Sequence, residues 1–421
     1  MGHGNRPGTP EDVLRHIEPG ADVIVPLANG EPVAVIDALE ENHERLHGVR
    51  IHQMHALRER PYMHGECGDH LRHVSYFLSE ATRQAYWDGE LDLVPSNFSE
   101  MPKLLRDCTR CSMVVASASP PDAHGHFTLG TNADYVARLI GRVPIFLEAN
   151  RHMPRTFGEN QIHVSQVVGW CENDHPLVEV PPVEPDERDR KIAAFVAERL
   201  PDRATIQVGI GGIPNALLAN LRDHKHLGVH TELVGDGLMD LVERGVITGT
   251  HKQTRANKLV ATFCLGTQRL YDWLHDNGSV ELLPVDYVND PRIIGREDDF
   301  ISINATTEVD LFGQCASETI AGRYWSSSGG QADFARGAMY SRGGKGFIVL
   351  RSTTGKGGSR IRVRLTEGSV VTTIKNTVDH VVTEFGVAEL RGKSVADRAR
   401  ALIDIAHPDH RGALEAEARE A

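Results

Sequence analysis

The sequence predicts an α/β protein built as two related open α/β domains with mainly parallel sheets. Short apolar runs such as "SMVVASAS" (112–119), "RVPIFLEA" (142–149), "KGFIVLRS" (345–352) and "DHVVTEFG" (379–386) alternate with helical stretches. That is the pattern of strands covered on both faces by βαβ crossovers. A stretch near the N-terminus recurs in the second half, as internal repeats do. The 421 residues, 40% of them hydrophobic, suffice for two or three cores.

The repeat sets "PGADVIVPLANGEPVAVIDALEE" (19–41) over "PDRATIQVGIGGIPNALLANLRD" (201–223), aligning Pro19 with Pro201, Ile24 with Ile206, Gly30 with Gly212, Pro32 with Pro214 and Leu39 with Leu221. Each copy reads as strand, turn and helix, the proline falling in the first helical turn, where its missing N–H costs nothing. Further on, "HGVRIHQM" (47–54) lies over "LGVHTELV" (227–234), which puts His52 opposite Glu232. The Pro- and acid-rich "LVEVPPVEPDERDRK" (177–191) joins the halves, giving expected domains of 1–183 and 184–421.

The copies differ at the turn. The first has Leu27-Ala28-Asn29-Gly30, the second Gly209-Ile210-Gly211-Gly212. Glycine lets another molecule approach the backbone and leaves N–H groups open at a helix N-terminus. Chemistry is therefore expected in the second half, with the first half forming a wall of the cleft.

Charge and cysteine usage exclude several function classes. A formal net charge of −13 argues against nucleic-acid or anionic-membrane partners. Six scattered cysteines are not a disulfide framework. The N-terminal stretch "MGHGNRPGTPEDVLRHIEPG" is polar, and no run of about eighteen apolar residues occurs. A soluble cytoplasmic protein is expected.

Three constellations carry possible chemistry. Glu232 stands some twenty residues after the glycine turn and before "GDG". That spacing admits a ribose-holding acid, a nucleophile or a solvated acid. A dinucleotide fingerprint needs a third glycine where this chain has Pro214, so no nicotinamide or flavin is expected. In "MHGECGDHLRH" (63–73), His64, Cys67, His70 and His73 recur every third residue, a period that does not gather four ligands on one helical face; no metal is expected. The pair in "CTRC" (108–111) lacks a second pair. Finally, "STTGKGGSRIRVR" (352–364) sets Lys356 in a glycine loop and alternates Arg360, Arg362 and Arg364, which reads either as a phosphate-binding edge or as a solvated strand face. No G-x-S-x-G elbow or P-loop occurs.

Taken together, "SPPDAHGHFTLG" (119–130), "EANRHMPRTFG" (148–158), "VGIGGIPNAL" (208–217), "HTELVGDGLMDLVERGVITG" (230–249), "PVDYVNDP" (284–291), "INATTEVDLFGQ" (303–314), "SGGQADFARGA" (328–338) and "VVTEFGVAELRGKS" (381–394) resemble the acetyl-CoA hydrolase/transferase family of CoA-transferases. The resemblance is strongest to the 4-hydroxybutyrate and butyryl-CoA:acetate branch and spans about residues 20–412. It implies a CoA-transferase-like fold with the active site between the two domains, acyl-CoA and a small carboxylic acid as substrates, and a homodimer or homotetramer. It also implies that Glu232 is the nucleophile of a ping-pong exchange through a glutamyl-CoA thioester. Asn289 matches an asparagine that hydrogen-bonds the glutamyl group, and Glu384 a second active-site acid with an orienting role. Backbone near Ile210 and Gly329 matches the oxyanion donors. Gly209, Gly211, Gly212, Ile213, Thr306, Gly330 and Lys356 match the CoA pocket. Glu308 is the rival nucleophile. An acyl-CoA hydrolase on the same scaffold and a non-catalytic CoA-binding protein are the alternatives.

Two departures stand out. Relatives carry Gly-x-Gly-Gly where this chain has Ser327-Ser328-Gly329-Gly330, and Trp273 and Trp325 are bulkier than the pattern. Arg362, Arg364 and Ser328 have no assigned role.

Overall fold

Strands buried along nearly their whole length dominate the computed structural model, which describes residues 6–420. In the first sheet, β1 (Asp22–Ile24), β2 (Val49–Gln53), β3 (Leu71–Ser75), β4 (Asp92–Leu93), β5 (Met113–Ala118), β6 (Ile145–Ala149) and β7 (Gly169–Glu172) lie in the order β4-β3-β2-β1-β5-β6-β7. Every neighbouring pair is parallel.

A second sheet of six strands contains β8 (Thr205–Val208), β9 (Gly228–Val229), β10 (Phe300–Ala305), β11 (Lys345–Val349), β12 (His380–Thr383) and β13 (Gly386–Glu389), in the order β9-β8-β10-β11-β12-β13. It is parallel except for the terminal β12–β13 pair. Such sheets read as continuous apolar runs because both faces are covered: Thr205, Ile206, Gln207 and Val208 are all buried.

The chain divides into two units. One comprises Met1–Val180 with Val260–Val288, the other Pro181–Leu259 with Asn289–Ala421. The linker read from sequence falls at the first of these divisions. The excursion 260–288 has a local cause: Thr262 C=O accepts from the Ala133 and Asp134 N–H groups, Cys264 N–H donates to Thr131, Leu282 N–H to Phe157 and Val285 N–H to Asp134.

Both units contain the strand–turn–helix–strand module that the repeat predicts, with two corrections. In the first, helix α1 (Val33–Glu41) has Pro32 as its N-cap rather than inside its first turn, because a 3-10 turn at Ala28–Gly30 intervenes. In the second, after helix α2 (Glu187–Ala197), helix α3 starts at Gly212 and runs to Asn220, with Pro214 in the first turn. The return to the next strand is five residues shorter in the second copy: Val23 and Ile24 pair with Ile51 and His52, whereas Thr205 and Ile206 pair with Gly228 and Val229. The ladder counterpart of His52 is therefore Val229, not Glu232.

Strand order in the second sheet reverses between β8 and β10, since the chain goes from β8 outward to β9 and then returns to the other side. In open α/β sheets the crevice beyond the carboxyl ends of the strands at such a point is where ligands bind. Gly209 follows β8, Glu232 comes shortly after β9, Thr306 follows β10, Lys356 comes after β11 and Glu384 follows β12. One edge of one sheet thus collects most of the residues singled out in the sequence.

Among the described residues no helix is long and apolar enough to cross a membrane.

Candidate active site

The two related turns have opposite electrostatic fates. At the N-terminus of α1 the buried Glu148 carboxylate accepts from the N–H groups of Val33, Ala34 and Val35 at 3.1, 2.7 and 3.1 Å. The positive end of that helix is thereby neutralised from within. At α3 the N-cap is Gly211, with φ +123°, a conformation that a side chain resists. A Cβ added at Gly209 would meet nothing within 4 Å, and Ile210 is half exposed at the tip of the turn. Gly212 is required for another reason, since a methyl there would overlap the Asp189 carboxylate, which is tied to Arg351 at 2.7 and 2.9 Å. The second turn is left open, with main-chain donors at a helix start. That arrangement binds anions.

Glu232 lies where the extended chain beyond β9 approaches helix α4 (Asp236–Glu243). Its side chain is half-buried, and the fully buried Asn289 donates from Nδ2 to its Oε2 at 2.8 Å. Burial pushes the carboxyl up to about 7. The Asn289 amide and the Gly330 N–H pull it down, and Asp333 pushes it further up. The outcome is a carboxylate poised near neutrality rather than held deep in the ionised state, a perturbation characteristic of functional sites.

Gly330 is the N-cap of helix α5 (Gln331–Tyr340) and the tightest point of the site. A Cβ at this position would overlap both Glu232 Oε2 and Asn289 Nδ2. The preceding Gly329 has φ +53° and Gly330 φ −101°. A left-handed residue followed by a right-handed one turns consecutive N–H groups toward the same point, an anion-binding nest. Asp333, in the first turn of the same helix, went unnoticed in the sequence; an acid three residues after a paired glycine was the available signal.

The remaining sequence candidates occupy the same sheet edge without touching Glu232. Ser352 donates to Glu384 from its N–H and its hydroxyl, both at 2.8 Å, and Arg351, Arg360 and Lys191 lie in the field of that carboxylate. Glu384 is not among the groups that shift Glu232. Lys356 is exposed at the end of a loop closed by a bridge between Thr353 and Ser359. The Thr306 N–H is taken by Val349 C=O at 3.1 Å, and its hydroxyl donates to Ala316 C=O at 2.8 Å. Ile213 is half-buried in the first turn of α3.

Glu308 is a saturated structural anion. Thr366 N–H, Thr366 Oγ1, Ser369 Oγ and Arg362 Nε surround it at 3.0, 2.7, 2.7 and 3.0 Å. This also gives Arg362 a role that the sequence did not. Removing the carboxylate orphans three hydrogen-bond donors and the ion partner of Arg362 at once. Glu308→Ala is therefore expected to lower stability by about 2–4 kcal/mol in denaturant titration while the folded fraction keeps its activity.

The histidine- and cysteine-rich stretch disperses. His64 faces Glu59 at 2.8 Å, His70 Nδ1 bonds Leu46 C=O, and the buried His73 meets the Tyr62 hydroxyl at 3.2 Å. All six cysteines are free. Among the described residues no group of three or more His, Cys, Asp and Glu is arranged to hold a metal ion.

Residues 6–188 match the acetyl-CoA hydrolase/transferase N-terminal domain and residues 266–418 the C-terminal domain. The chain is 43% identical to the succinyl-CoA:cyclohexane-1-carboxylate CoA transferase of Geobacter metallireducens, over 98% of this chain and 94% of that protein. It is 42% identical to the 4-hydroxybutyrate coenzyme A transferase of Clostridium kluyveri, over 96% and 95%. The crystal structure of RipA from Yersinia pestis superposes with a TM-score of 0.93 at 35% identity, covering 99% of this chain and 98% of that one. A 4-hydroxybutyrate CoA-transferase from Porphyromonas gingivalis gives 0.85 at 34%, covering 99% and 97%. The chain belongs to the acetyl-CoA hydrolase/transferase family and is an enzyme of the CoA-transferase type.

Proposed function

We propose that the protein transfers CoA between a short-chain acyl-CoA and a carboxylic acid through a thioester formed on Glu232. The observation that carries this reading is the half-buried Glu232 carboxylate, held by Asn289 and Gly330 and poised near pH 7 beside main-chain donors. The Glu232 carboxylate attacks the thioester carbonyl, forming an acyl-glutamyl anhydride and releasing CoA thiolate. The thiolate attacks the glutamyl carbonyl, forming the glutamyl-CoA thioester and freeing the first acid. The acceptor carboxylate then attacks that thioester, and the thiolate returns to the new acyl group, restoring Glu232. Each intermediate keeps the acyl group activated, so nothing is lost to water.

Two oxyanions develop in each half-reaction and need preorganised donors. The Gly329–Gly330 nest and the open Gly209–Gly212 turn supply main-chain N–H groups, and Asn289 Nδ2 already faces the glutamyl oxygen. Lys356, exposed on the same sheet edge, is the cation offered to CoA, and Glu384 on that edge is the second acid, with an orienting role. As in the named relatives, a carboxylic acid is the acceptor; a hydrolase would substitute water at the same step.

Steady-state kinetics separate the two outcomes. With acyl-CoA alone, free thiol release stays below one equivalent of enzyme. With an acceptor acid present, turnover follows parallel double-reciprocal lines. Sustained thiol release without an acid overturns the transferase reading.

Because the ionised carboxylate is the nucleophile, kcat/KM for acyl-CoA is expected to rise with pH and level off above about 7, falling tenfold per pH unit well below that value. A pH profile flat between 5 and 8 contradicts the assignment.

A further inference from the structure

The first unit shows what an acid does at such a turn. The Glu148 carboxylate accepts from three N–H groups at the start of α1 and closes it. The second unit holds an acid in the same kind of place. Asp189 is 1% exposed, and its carboxylate packs so closely on Gly212, the first residue of α3, that a Cβ there would overlap it. Yet no side chain caps α3. The first N–H groups of a helix have no intrahelical partner, and a carboxylate at that end is favourable. Asp189 therefore stands beside donors that it does not use.

The reason is Arg351, two residues beyond β11. Its Nε and Nη2 donate to Asp189 Oδ1 and Oδ2 at 2.9 and 2.7 Å, a bidentate pair that engages both oxygens. Oδ2 also accepts the Asp186 N–H at 3.1 Å, while the Asp189 N–H donates to Asp186 Oδ1 at 3.0 Å, so the acid is held toward α2. The guanidinium is itself anchored. Asp186 Oδ2 lies 3.3 Å from Nη2, and the neighbouring Ser352 is fixed on Glu384.

We propose that Arg351 is a positioning residue that keeps Asp189 from capping α3, and so keeps the Gly209–Gly212 turn open for the reacting carbonyl oxygen. This rests on the Glu232 reading above. Without the guanidinium a buried carboxylate loses its counter-ion, which is costly. It then turns to the adjacent N–H groups of the first turn of α3, as Glu148 does at α1. The turn is filled by an anion of the chain itself, and donors offered to the oxyanion are spent. An arginine that merely attracted CoA would act on affinity instead.

The test measures single-turnover formation of the Glu232 thioester from acetyl-CoA by rapid quench and intact mass. Wild type is compared with Arg351→Met, Arg351→Lys, Asp189→Asn and the double variant Arg351→Met/Asp189→Asn, each confirmed folded by circular dichroism. Arg351→Gln repeats the comparison should the methionine variant not fold. Arg351→Met is expected to lower the maximal rate constant about 10²-fold, the scale of one lost oxyanion donor. The half-saturating acetyl-CoA concentration changes less than about threefold, as for an interaction made only in the transition state. Asp189→Asn alone stays within about threefold in rate, and the double variant recovers to within about tenfold of wild type, because a neutral amide competes weakly for the turn. Arg351→Lys keeps a charge beside Asp189 and retains most of the rate. An unchanged rate in Arg351→Met, a double variant as slow as Arg351→Met, or a loss carried by the half-saturating concentration overturns the inference and leaves Glu232 in place. If acetyl-CoA leaves no adduct on the wild-type protein, the Glu232 reading fails and the inference with it.

Discussion

Replacing Glu232 with alanine is expected to abolish CoA transfer, with kcat/KM falling by at least about 10⁴-fold, the scale seen when a covalent nucleophile is removed. Neither of the other two glutamates singled out in the sequence stands ready to substitute. Glu308 is occupied by three hydrogen-bond donors and the Arg362 ion pair, and Glu384 by both groups of Ser352. The same position should carry a stability signature. The folded carboxyl ionises near 7 against a reference value of 4.5, so the fold disfavours the charged form. For an acid with a raised value, the cost of ionisation is absent below the unfolded value, grows between about pH 4.5 and 7, and is complete above 7. Glu232→Gln, which keeps the shape without the charge, is expected to be more stable than wild type by about 1–3 kcal/mol at pH 8, and no more stable at pH 4. Thermal melts at the two pH values check this. A variant less stable than wild type at pH 8 would show that the carboxylate is held favourably and is not a strained nucleophile.

Gly330→Ala should give the second large loss. Gly330 has φ −101°, a conformation open to any residue, so the substitution strains no backbone. Its effect is a steric one confined to the site, because the added methyl overlaps Glu232 Oε2 and Asn289 Nδ2 together. Either the carboxylate is displaced from its amide donor or helix α5 shifts at its first turn, and both misplace the Gly330 N–H that the proposed mechanism uses for the developing oxyanion. Loss of one such donor costs about 10²–10³ in kcat, and disturbing the nucleophile as well should bring the loss to about 10³–10⁴. The comparison variant is Gly346→Ala on β11, where a Cβ meets its neighbours only at 4.0 Å. Activity of Gly330→Ala within tenfold of wild type would contradict the geometry.

The sheets were legible in the sequence because parallel strands buried on both faces leave uninterrupted apolar runs, and the repeat announced the strand–turn–helix–strand module. The register of that module was not. Whether Glu148 or an open space caps the helix depends on a residue over a hundred positions away, and the return strand's offset is set by a loop five residues shorter in the second copy, which sets Val229 rather than Glu232 opposite His52. Spacing singled out Glu232 but left its role open; the nucleophile assignment and Asn289 came only through resemblance. The Glu232–Asn289 hydrogen bond joins positions 57 apart, which spacing alone does not reveal. Arg362 and Asp333 illustrate the remaining gap. A charge's partner is a property of the fold, so one arginine in an alternating row pairs with Glu308 and one acid in a helix start lies in the field of Glu232.

Intact-mass analysis after brief mixing with acetyl-CoA, followed by peptide mapping, tests the Glu232 thioester most directly. The account predicts an added mass of one CoA less one water on the peptide containing Glu232, removed by an acceptor acid and missing in Glu232→Ala. A wild-type protein that stays unmodified, or an adduct that persists in Glu232→Ala, would contradict it.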